Sequence, residues 1–358
     1  MRILYSVQAT GNGHISRAME LLPHLRQYGE VDIFLSGSNS NLPLDAPVRY
    51  RSKGLSLFYN CAGGLDYIEM LKRFAPLRLR KEIHDLPVEK YDLVINDFEF
   101  ITAAACARKK IRSINFGHQA SFQSSRTPRP ERTSKAGELV LKKYARASSY
   151  VGLHFQRYDD FIFTPVIKQD ILHAEPRNDG YITVYLPAWC QRELTALLAP
   201  FSDIRFQAFC SGISQKRQEG HITLMPVNKT LFNESLINCE GIITGAGFET
   251  PAEALHLRKK ILAIPIRSQY EQQCNAAALA QMGISTLDRI DDDFPDHFER
   301  WMNSTQHVEV DYRNSIPESL SYLFALHHDQ PSSIPAGNEP AELAAYWSMP
   351  IHQQPALD

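Results

Sequence analysis

The sequence lacks the features that mark membrane-spanning, disulfide-rich and zinc-binding proteins. It contains no uninterrupted run of about 18 apolar residues, so no segment is predicted to cross a bilayer. Its six cysteines never fall at a Cys-x-x-Cys spacing, which excludes a zinc ribbon and a small disulfide scaffold. The first residues lack the apolar core and the small-residue cleavage site of a signal peptide. We therefore expect a reduced, cytoplasmic protein.

Two nucleotide-binding motifs are also missing. Gly11 and Gly13 follow the first predicted strand, but Ser16 stands where the dinucleotide-binding fingerprint has its third glycine. The second predicted strand, 31–35, is followed by Ser36-Gly37-Ser38 instead of an acidic ligand for a ribose. No Gly-Lys-Ser/Thr follows either glycine loop of the sequence. A nicotinamide-dependent enzyme is therefore disfavoured, and a P-loop phosphotransferase is excluded.

The composition is that of an ordered protein long enough for two domains, with 44% hydrophobic residues, 22% charged residues and a net charge of −2. The charge is uneven, because residues 101–150 contain eleven Lys or Arg against Glu131 and Glu138. Residues 70–81 also interleave basic and apolar side chains. This pattern indicates either a solvated basic face or contact with an anionic membrane surface or acidic acceptor. Nucleic acid is not an expected partner, because no recognised binding motif accompanies the charge.

Apolar segments typical of strands alternate with helical segments along both halves of the chain. They cover residues 2–7, 31–35, 91–96, 111–116, 181–186, 205–210, 221–225, 241–244 and 261–264. Such alternation predicts an α/β fold in which parallel sheets are wound with helices. A turn-rich stretch gives an N-terminal domain at 1–164, a C-terminal domain at 165–328 and a Pro-rich tail at 329–358. Within the tail, Glu339–Trp347 is expected to form a helix that packs back across the domains.

A histidine opens the helix predicted after the first glycine loop. His14 precedes apolar residues at helical spacing, so it lies at or near the helix N-terminus. The helix dipole there favours a neutral imidazole, which suits a general base, while the plainer interpretation is a histidine that packs or donates to a phosphate. A carboxylate on the other ring nitrogen would support the base. Asp97, at the carboxyl end of strand 91–96, is the first choice, and Glu99 is the reserve.

Another polar pair follows the next strand of the same predicted sheet. His118 and Gln119 come directly after strand 111–116 and Gly117, on the rim where Asp97 is expected. Side chains at that rim would orient an acceptor, although polar residues also occupy loops without any such role.

The second glycine loop, Gly245-Ala246-Gly247, follows strand 241–244 and opens a helix. Free backbone amides at such a helix start receive a diphosphate without a metal. Thr250-Pro251-Ala252-Glu253 has the form of a capping box, with Thr250 as the cap and Glu253 reaching back to an amide. In the alternative, Glu253 accepts both ribose hydroxyls of a nucleotide. The spacing alone favours the cap.

A cluster of carboxylate and amide side chains lies on the helix predicted after strand 261–264. Glu271 and Gln272 precede Asn275 by four and three positions, so the three share one helical face. Such groups match what sugar hydroxyls need, but a solvated helix face has the same spacing.

Together these motifs resemble those of the GT-B glycosyltransferases, especially family 28, with relatives in family 1. Gly-x-Gly-His-x-x-Arg at 11–17 is similar to the acceptor-side loop of that family, and residues 246–255 are similar to its donor loop. The resemblance implies two Rossmann-like, doubly wound domains that face each other across a cleft. One departure is the sequence Tyr185-Leu186-Pro187-Ala188-Trp189, where the peptidoglycan branch has a turn rich in glycine and serine. The base of the nucleotide is expected near 225–227.

The resemblance also assigns roles to residues, and it reverses the preference for Glu253 as a cap. It implies that Glu253 binds the ribose and that the remaining donor contacts come from Gly245, Ala246, Gly247, Phe248, Thr250, Glu271, Gln272, Gln273 and Asn275. It implies that the acceptor side is formed by Gly11, Asn12, Gly13, Arg17, His118 and Gln119.

The function that these roles imply is inverting transfer of a sugar from a nucleotide-diphosphate sugar, expected to be UDP-linked, to an acceptor hydroxyl. His14 is the expected base, supported by Asp97, and neither a metal nor a cofactor is expected. The expected acceptor is lipid-linked or anionic, as in the synthesis of a cell-envelope glycan, with peripheral contact between the basic N-terminal domain and the inner face of the membrane. Two alternatives remain open: a nucleotide-sugar hydrolase in which His14 activates water, and a catalytically silent nucleotide-sugar binding subunit.

Overall fold

Two seven-stranded sheets, each wound with helices, organise the chain in the computed structural model, which describes residues 1–9, 12–37, 44–54, 75–305 and 308–329. The first sheet contains β1 (Arg2–Gln8), β2 (Glu30–Ser36), β3 (Tyr50–Ser52), β4 (Leu93–Asp97), β5 (Ile114–Gly117), β6 (Ser149–Leu153) and β7 (Ile162–Phe163). The second contains β8 (Tyr181–Tyr185), β9 (Arg205–Cys210), β10 (Arg217–Glu219), β11 (Ile222–Pro226), β12 (Gly241–Thr244), β13 (Lys260–Ala263) and β14 (Ser285–Thr286).

Helices connect most of these strands. They are α1 (Gly13–Leu25), α2 (Pro76–Asp85), α3 (Phe100–Lys109), α4 (Lys135–Lys143), α5 (Gln169–Leu172), α6 (Gln191–Leu198), α7 (Lys229–Asn238), α8 (Glu249–His256), α9 (Tyr270–Gln281), α10 (Phe294–Asn303) and α11 (Ser315–His328), with short 3₁₀ helices at Val88–Lys90 and Gln119–Gln123. The predicted α/β fold with parallel sheets is confirmed. All nine predicted strands are present, and the five that were missed are mostly edge strands of two or three residues, too short to show a hydrophobic pattern.

The strand orders place one crevice at the carboxyl end of each sheet. They are β3-β2-β1-β4-β5-β6-β7 and β10-β11-β9-β8-β12-β13-β14, and the only antiparallel pair among the described strands is β10 with β11. The direction of winding reverses between β1 and β4 in the first sheet and between β8 and β12 in the second. Ligands of open α/β sheets bind beside such switch points. The two glycine loops follow β1 and β12, so each begins at one of these positions.

The two halves share a continuous apolar core. Phe155 of the first half lies 5.3 Å from Phe248 of the second, measured between ring centroids. Helix α11, although it follows the second sheet, packs against β6 and β7 of the first. The ring of Phe324 on α11 stacks on Tyr28 at 3.7 Å, and Glu318 accepts a hydrogen bond from Arg157 at 3.2 Å. The sequence assigns this helix to the second domain, whereas these contacts join it to the first sheet.

Several expectations fall outside the described residues. These are Gly11, the first part of the basic segment at 70–74, and the tail helix at Glu339–Trp347. Within the part of the chain that the structure describes, no helix is long and apolar enough to cross a membrane.

Candidate active site

The first glycine loop leads directly into α1, which begins at Gly13. His14 and Arg17 lie one turn apart on this helix and therefore point the same way. The neighbouring apolar residues Ile15 and Ala18 pack into the core and anchor the helix beneath the loop. Both polar side chains are buried, with 9% of His14 and 3% of Arg17 exposed. A buried cationic side chain requires a partner, because an unpaired charge is costly away from water.

That partner is Asp97, the last residue of β4. Its Oδ1 lies 2.8 Å from His14 Nδ1, and Arg17 donates to it from Nη2 at 2.7 Å. Two local features make room for the carboxylate. Phe98 adopts a left-handed conformation with φ of 54°, which turns the chain sharply after the strand. A Cβ at Gly117 would lie 2.7 Å from Asp97 Oδ1, so only glycine fits there.

The reserve candidate Glu99 has a different position. Its carboxylate caps α3, accepting hydrogen bonds from the backbone N–H of Ile101 at 2.8 Å and of Thr102 at 2.6 Å. The geometry therefore pairs His14 with Asp97 and assigns Glu99 a structural contact.

The protonation of the pair follows from the charges around it. Burial raises the pKa of Asp97. Arg17 and, to a lesser extent, His14 lower it by more than burial raises it, so the pKa of Asp97 lies below its ordinary value. An ionised carboxylate accepts hydrogen bonds only, so His14 Nδ1 is the donor to Asp97. Arg17 Nη2 also lies 2.9 Å from Nδ1, but it already donates to both oxygens of Asp97. The tautomer with hydrogen on Nδ1 leaves Nε2 as an acceptor, and among the described residues no hydrogen bond to Nε2 is found.

Arg17 extends this network into the second half of the molecule. Its Nη1 donates to Oε1 of Glu249, the first residue of α8, at 2.6 Å. His14, Arg17, Asp97 and Glu249 are named here the charged network. Sequence reasoning missed Glu249 as a site residue. The only signal was its position directly after a glycine loop expected to face the first domain.

The second glycine loop ends in α8, whose N-cap is Phe248 and whose cap residue makes no side-chain hydrogen bond. The capping box that the spacing alone favours at Thr250 and Glu253 is not formed, because the helix begins one residue before Thr250 and the Glu253 carboxylate pairs with Lys168. Gly245 and Gly247 occupy a roomy turn. A Cβ on Gly247 would have no described atom within 4 Å, so the loop leaves space beside the helix start. Ala246 beneath it is fully buried.

Glu253 is buried, with 3% of the residue exposed. Its Oε1 lies 3.0 Å from Nζ of Lys168, in the segment that connects the two sheets. Burial raises the pKa of Glu253, and the ammonium of Lys168 opposes that rise. Lys168 had no signal in the sequence, because the pairing depends on how the connecting segment folds over α8.

The residues expected on the acceptor side and on the donor side meet across the gap between the sheets. His118 Nε2 lies 2.8 Å from Asn275 Oδ1, and Gln119 Nε2 donates to Glu271 Oε2 at 3.1 Å. His118 also stacks on the ring of Phe248 at 3.9 Å between centroids. The polar rim of the first sheet and the helix α9 of the second therefore form one site.

Three amide side chains of α9 bond to neighbouring backbone, one in the donor loop and two in the loop that precedes α9. Asn275 Nδ2 donates to the carbonyl of Ala246 at 3.0 Å, and Gln272 Oε1 accepts from the backbone N–H of Ile266 at 3.0 Å. Gln273 Nε2 donates to the carbonyl of Arg267, pointing toward the loop that precedes α9. Asn275 is fully buried, whereas the other two are partly exposed. Among the described residues, no group of three His, Cys, Asp or Glu side chains is arranged to bind a metal ion.

Comparison with known proteins places this arrangement in context. The sequence model of glycosyl transferase family 1 matches residues 1–303. The structure of Acinetobacter baumannii MurG is similar with a TM-score of 0.55 at 12% identity, covering 92% of this chain and 99% of that chain. Arabidopsis thaliana UGT89C1 complexed with UDP-L-rhamnose has a TM-score of 0.55 at 15% identity, with coverage of 91% and 93%.

A third solved structure, the glycotransferase of kitacinnamycin, has a TM-score of 0.54 at 14% identity, covering 92% of this chain and 95% of that chain. No curated protein sequence matches this chain. At these identities the solved structures support the fold, and the family match, which spans most of the sequence, supports the activity class. The chain belongs to glycosyl transferase family 1 and is a glycosyltransferase with the GT-B fold.

Proposed function

We propose that this enzyme transfers a sugar from a UDP-sugar to an acceptor hydroxyl with inversion at the anomeric carbon, using His14 as the general base. The observation that carries the proposal is the pairing of His14 Nδ1 with buried Asp97 at 2.8 Å, which leaves Nε2 as the nitrogen that can accept a proton. Asp97 orients the ring and stabilises the imidazolium that forms. The base takes the proton from the acceptor as its oxygen attacks, and the nucleoside diphosphate leaves.

The second glycine loop is the proposed site for the leaving diphosphate. Gly245, Ala246 and Gly247 precede the start of α8, where unpaired backbone amides and the helix dipole stabilise negative charge without a metal. A Cβ at Gly247 would meet no described atom within 4 Å, and this open space supports the assignment of a phosphate to the loop. Phe248 and Thr250 complete this loop in the proposal. UDP is the proposed nucleotide because a structurally similar protein, UGT89C1, is described in complex with UDP-L-rhamnose.

The sugar and ribose are assigned to the polar side chains around that loop. Glu271 is partly exposed in the gap and is bound by Gln119, so its carboxylate is available to sugar hydroxyls beside Gln272 and Gln273. Glu253 is proposed to accept the ribose hydroxyls, in exchange for its contact with Lys168. Asn275 supports the loop by bonding the carbonyl of Ala246.

The proposed acceptor is anionic or lipid-linked, with Asn12, Gly13 and the rim around His118 on its side of the site. Helix α2 presents Leu77, which is 83% exposed, next to the basic residues Arg78 and Arg80. An exposed apolar side chain within a basic helix suits contact with an anionic, partly apolar surface. This feature supports an acceptor held at a membrane face.

The test is turnover of UDP-sugars by the wild type and by His14→Ala. We expect glycoside product with anionic or lipid-linked acceptors and none with neutral soluble ones. The variant should lose about two to four orders of magnitude in kcat, the usual contribution of general base catalysis, while UDP still stabilises it in a thermal-shift assay. Normal turnover by His14→Ala would remove the base assignment. Stoichiometric free sugar without any acceptor would identify a hydrolase instead, and tight UDP binding without turnover would identify a silent binding subunit.

A further inference from the structure

Glu249 belongs to the second half of the molecule but completes the charged network of the first. It opens α8, and its Oε1 accepts a hydrogen bond from Arg17 Nη1 at 2.6 Å. The same guanidinium donates from Nε to Asp97 Oδ2 at 3.1 Å and from Nη2 to Oδ1 at 2.7 Å. Arg17 thus links the donor loop directly to the carboxylate that binds His14.

The charges of the network decide what this link does. Without Glu249, Arg17 would neutralise Asp97, and a proton taken up by His14 would leave a net positive charge in a buried site. With Glu249 present, the network has one excess negative charge while His14 is neutral, and it becomes neutral when His14 takes the proton. Uncompensated buried charge is costly, so Glu249 favours the proton uptake that catalysis requires.

We infer that Glu249 is a positioning residue that acts through Arg17, so that His14 becomes an effective base only when the second domain is docked against the first. The inference rests on the proposed role of His14. Catalysis would then depend on the arrival of the same helix that begins at the donor loop. The charge of the protonated network is balanced only when the donor loop brings Glu249 to Arg17.

Gly13 provides an independent observation. A Cβ at this position would lie 2.5 Å from Glu249 Oε2 and 2.8 Å from Oε1. Gly13 is not among the residues with positive φ, so its backbone conformation does not require glycine. The missing side chain instead leaves room for the carboxylate of Glu249 at the start of α1.

Other ionisable groups face the network from the surrounding elements. They are Tyr5 on β1, His118 after β5, Glu271 on α9 and, on α8 itself, Glu253, whose carboxylate pairs with Lys168. Burial raises the pKa of Tyr5 and lowers that of His118, so both favour their neutral forms. Burial also raises the pKa of Glu271, whose hydrogen bond is to Gln119. Among the described residues, none of these groups hydrogen-bonds to Arg17, so Glu249 is the group that changes the charge balance of Arg17 directly.

The test compares pH profiles of kcat/KM for Glu249→Gln and Glu240→Gln. Glu240 is a matched control, because its side chain is 30% exposed against 29% for Glu249 and it also pairs with a cation, Lys260, but not with Arg17. We expect Glu249→Gln to lower kcat about tenfold and to move the acidic limb of the profile to lower pH, since imidazolium formation becomes less favourable. Glu240→Gln should leave both unchanged.

A second variant moves the carboxylate without removing it. Gly13→Ala displaces the flexible end of Glu249 and should shift the acidic limb in the same direction as Glu249→Gln. Arg17→Met alone should change the profile, because it removes the cation beside Asp97. Adding Glu249→Gln to Arg17→Met should cause no further shift of the acidic limb, because the effect of Glu249 passes through Arg17.

The outcomes separate this inference from the function on which it rests. An acidic limb that stays in place in Glu249→Gln, whatever the loss of stability or of donor affinity, would mean that the contact only fastens the two domains, and the inference would be overturned. If His14→Ala retained full activity, the proposed function would fail by itself. An inactive His14→Ala together with an unmoved limb in Glu249→Gln would leave the function standing and remove only the role of Glu249.

Discussion

The two glycine loops have the same secondary structure around them, but the space beside the glycine is filled in one loop and open in the other. Each loop joins a central parallel strand to a helix: the first junction joins β1 to α1, and the second junction joins β12 to α8. At the first, the space beside Gly13 is filled by the carboxylate of Glu249. At the second, a Cβ on Gly247 would have no described atom within 4 Å. One junction is occupied by protein side chains, and the other leaves room for a ligand.

The difference shows that a glycine after a strand does not by itself indicate ligand contact. At the first junction Gly13 leaves room for the carboxylate of Glu249, which contacts Arg17 of the charged network. At the second, the helix start remains accessible to an anion. The same sequence signal therefore precedes the proposed base in one domain and the proposed phosphate site in the other.

The largest effect is expected from Asp97→Asn, which removes the carboxylate that pairs with His14 and Arg17 at the first junction. The variant would lose the charge that stabilises imidazolium and the acceptor that fixes the tautomer of His14, so kcat should fall about a thousandfold. It would also leave buried Arg17 with Glu249 as its remaining partner and reduce stability by about 3 kcal/mol, as for other broken buried pairs. Kinetics and urea unfolding measure the two effects.

The control for Asp97→Asn is UDP binding at the other junction, followed by thermal shift. The described side-chain hydrogen bonds of Asp97 are to His14 and Arg17 and not to the second loop, so we expect UDP to stabilise the variant and the wild type equally. A kcat near that of the wild type would contradict the proposed contribution of Asp97, and the first junction would then have no demonstrated role in catalysis.

The stability of the folded protein is expected to decrease in acid because of His118, which contacts Phe248 and Asn275 of the second half. Its two neighbours, the Leu153 carbonyl and Asn275 Oδ1, both accept hydrogen bonds and favour imidazolium, but burial dominates and lowers the pKa of His118 to about 3. The unfolded chain therefore binds this proton below about pH 6.5 while the folded chain does not. Stability is fully present above that pH and should fall by up to about 1.4 kcal/mol per pH unit between pH 6.5 and 3.

The measurement is urea unfolding of the wild type and of His118→Gln across this range. His154, also buried and neutral, adds its own slope in both proteins, so the difference between the two slopes reports His118. The slope should be shallower in the variant. A wild type that instead loses stability as the pH rises through 6.5, with the loss absent in His118→Gln, would show that the ring is held as imidazolium.

The smallest effect is expected from partly filling the open junction with Gly247→Ala. Because the new methyl group meets no described atom and the backbone φ is not positive, stability without ligand should change by less than about 0.5 kcal/mol. UDP affinity should fall about tenfold, since the methyl group occupies the proposed phosphate space, which corresponds to about 1.4 kcal/mol of binding free energy. Calorimetric titration measures the UDP affinity of both proteins. An unchanged affinity would show that the phosphate does not bind beside Gly247.

The fold and part of the network followed from the sequence because they depend on local patterns. Apolar strands mark the sheet, and the carboxyl ends of β1 and β4 are neighbours in any sheet with this winding, which made Asp97 the first choice beside His14. The edge strands were missed because two or three residues show no period.

What could not be predicted were the contacts that depend on how the two halves dock. Nothing in the sequence near Arg17 points to Glu249, which lies more than two hundred positions away, and nothing near Glu253 points to Lys168. The capping box failed for a related reason. Thr250 and Glu253 fit the local pattern, but the ion pair to Lys168 determines where the Glu253 side chain goes.

Helix α11 turns the second lobe into an insertion in the first. The polypeptide leaves the first sheet after β7 and comes back to β6 and β7 through α11, so two covalent tethers join the lobes. Two connections limit how far the second lobe can move from the first. Glu249 is thereby kept at a high effective concentration near Arg17, its partner in the first lobe.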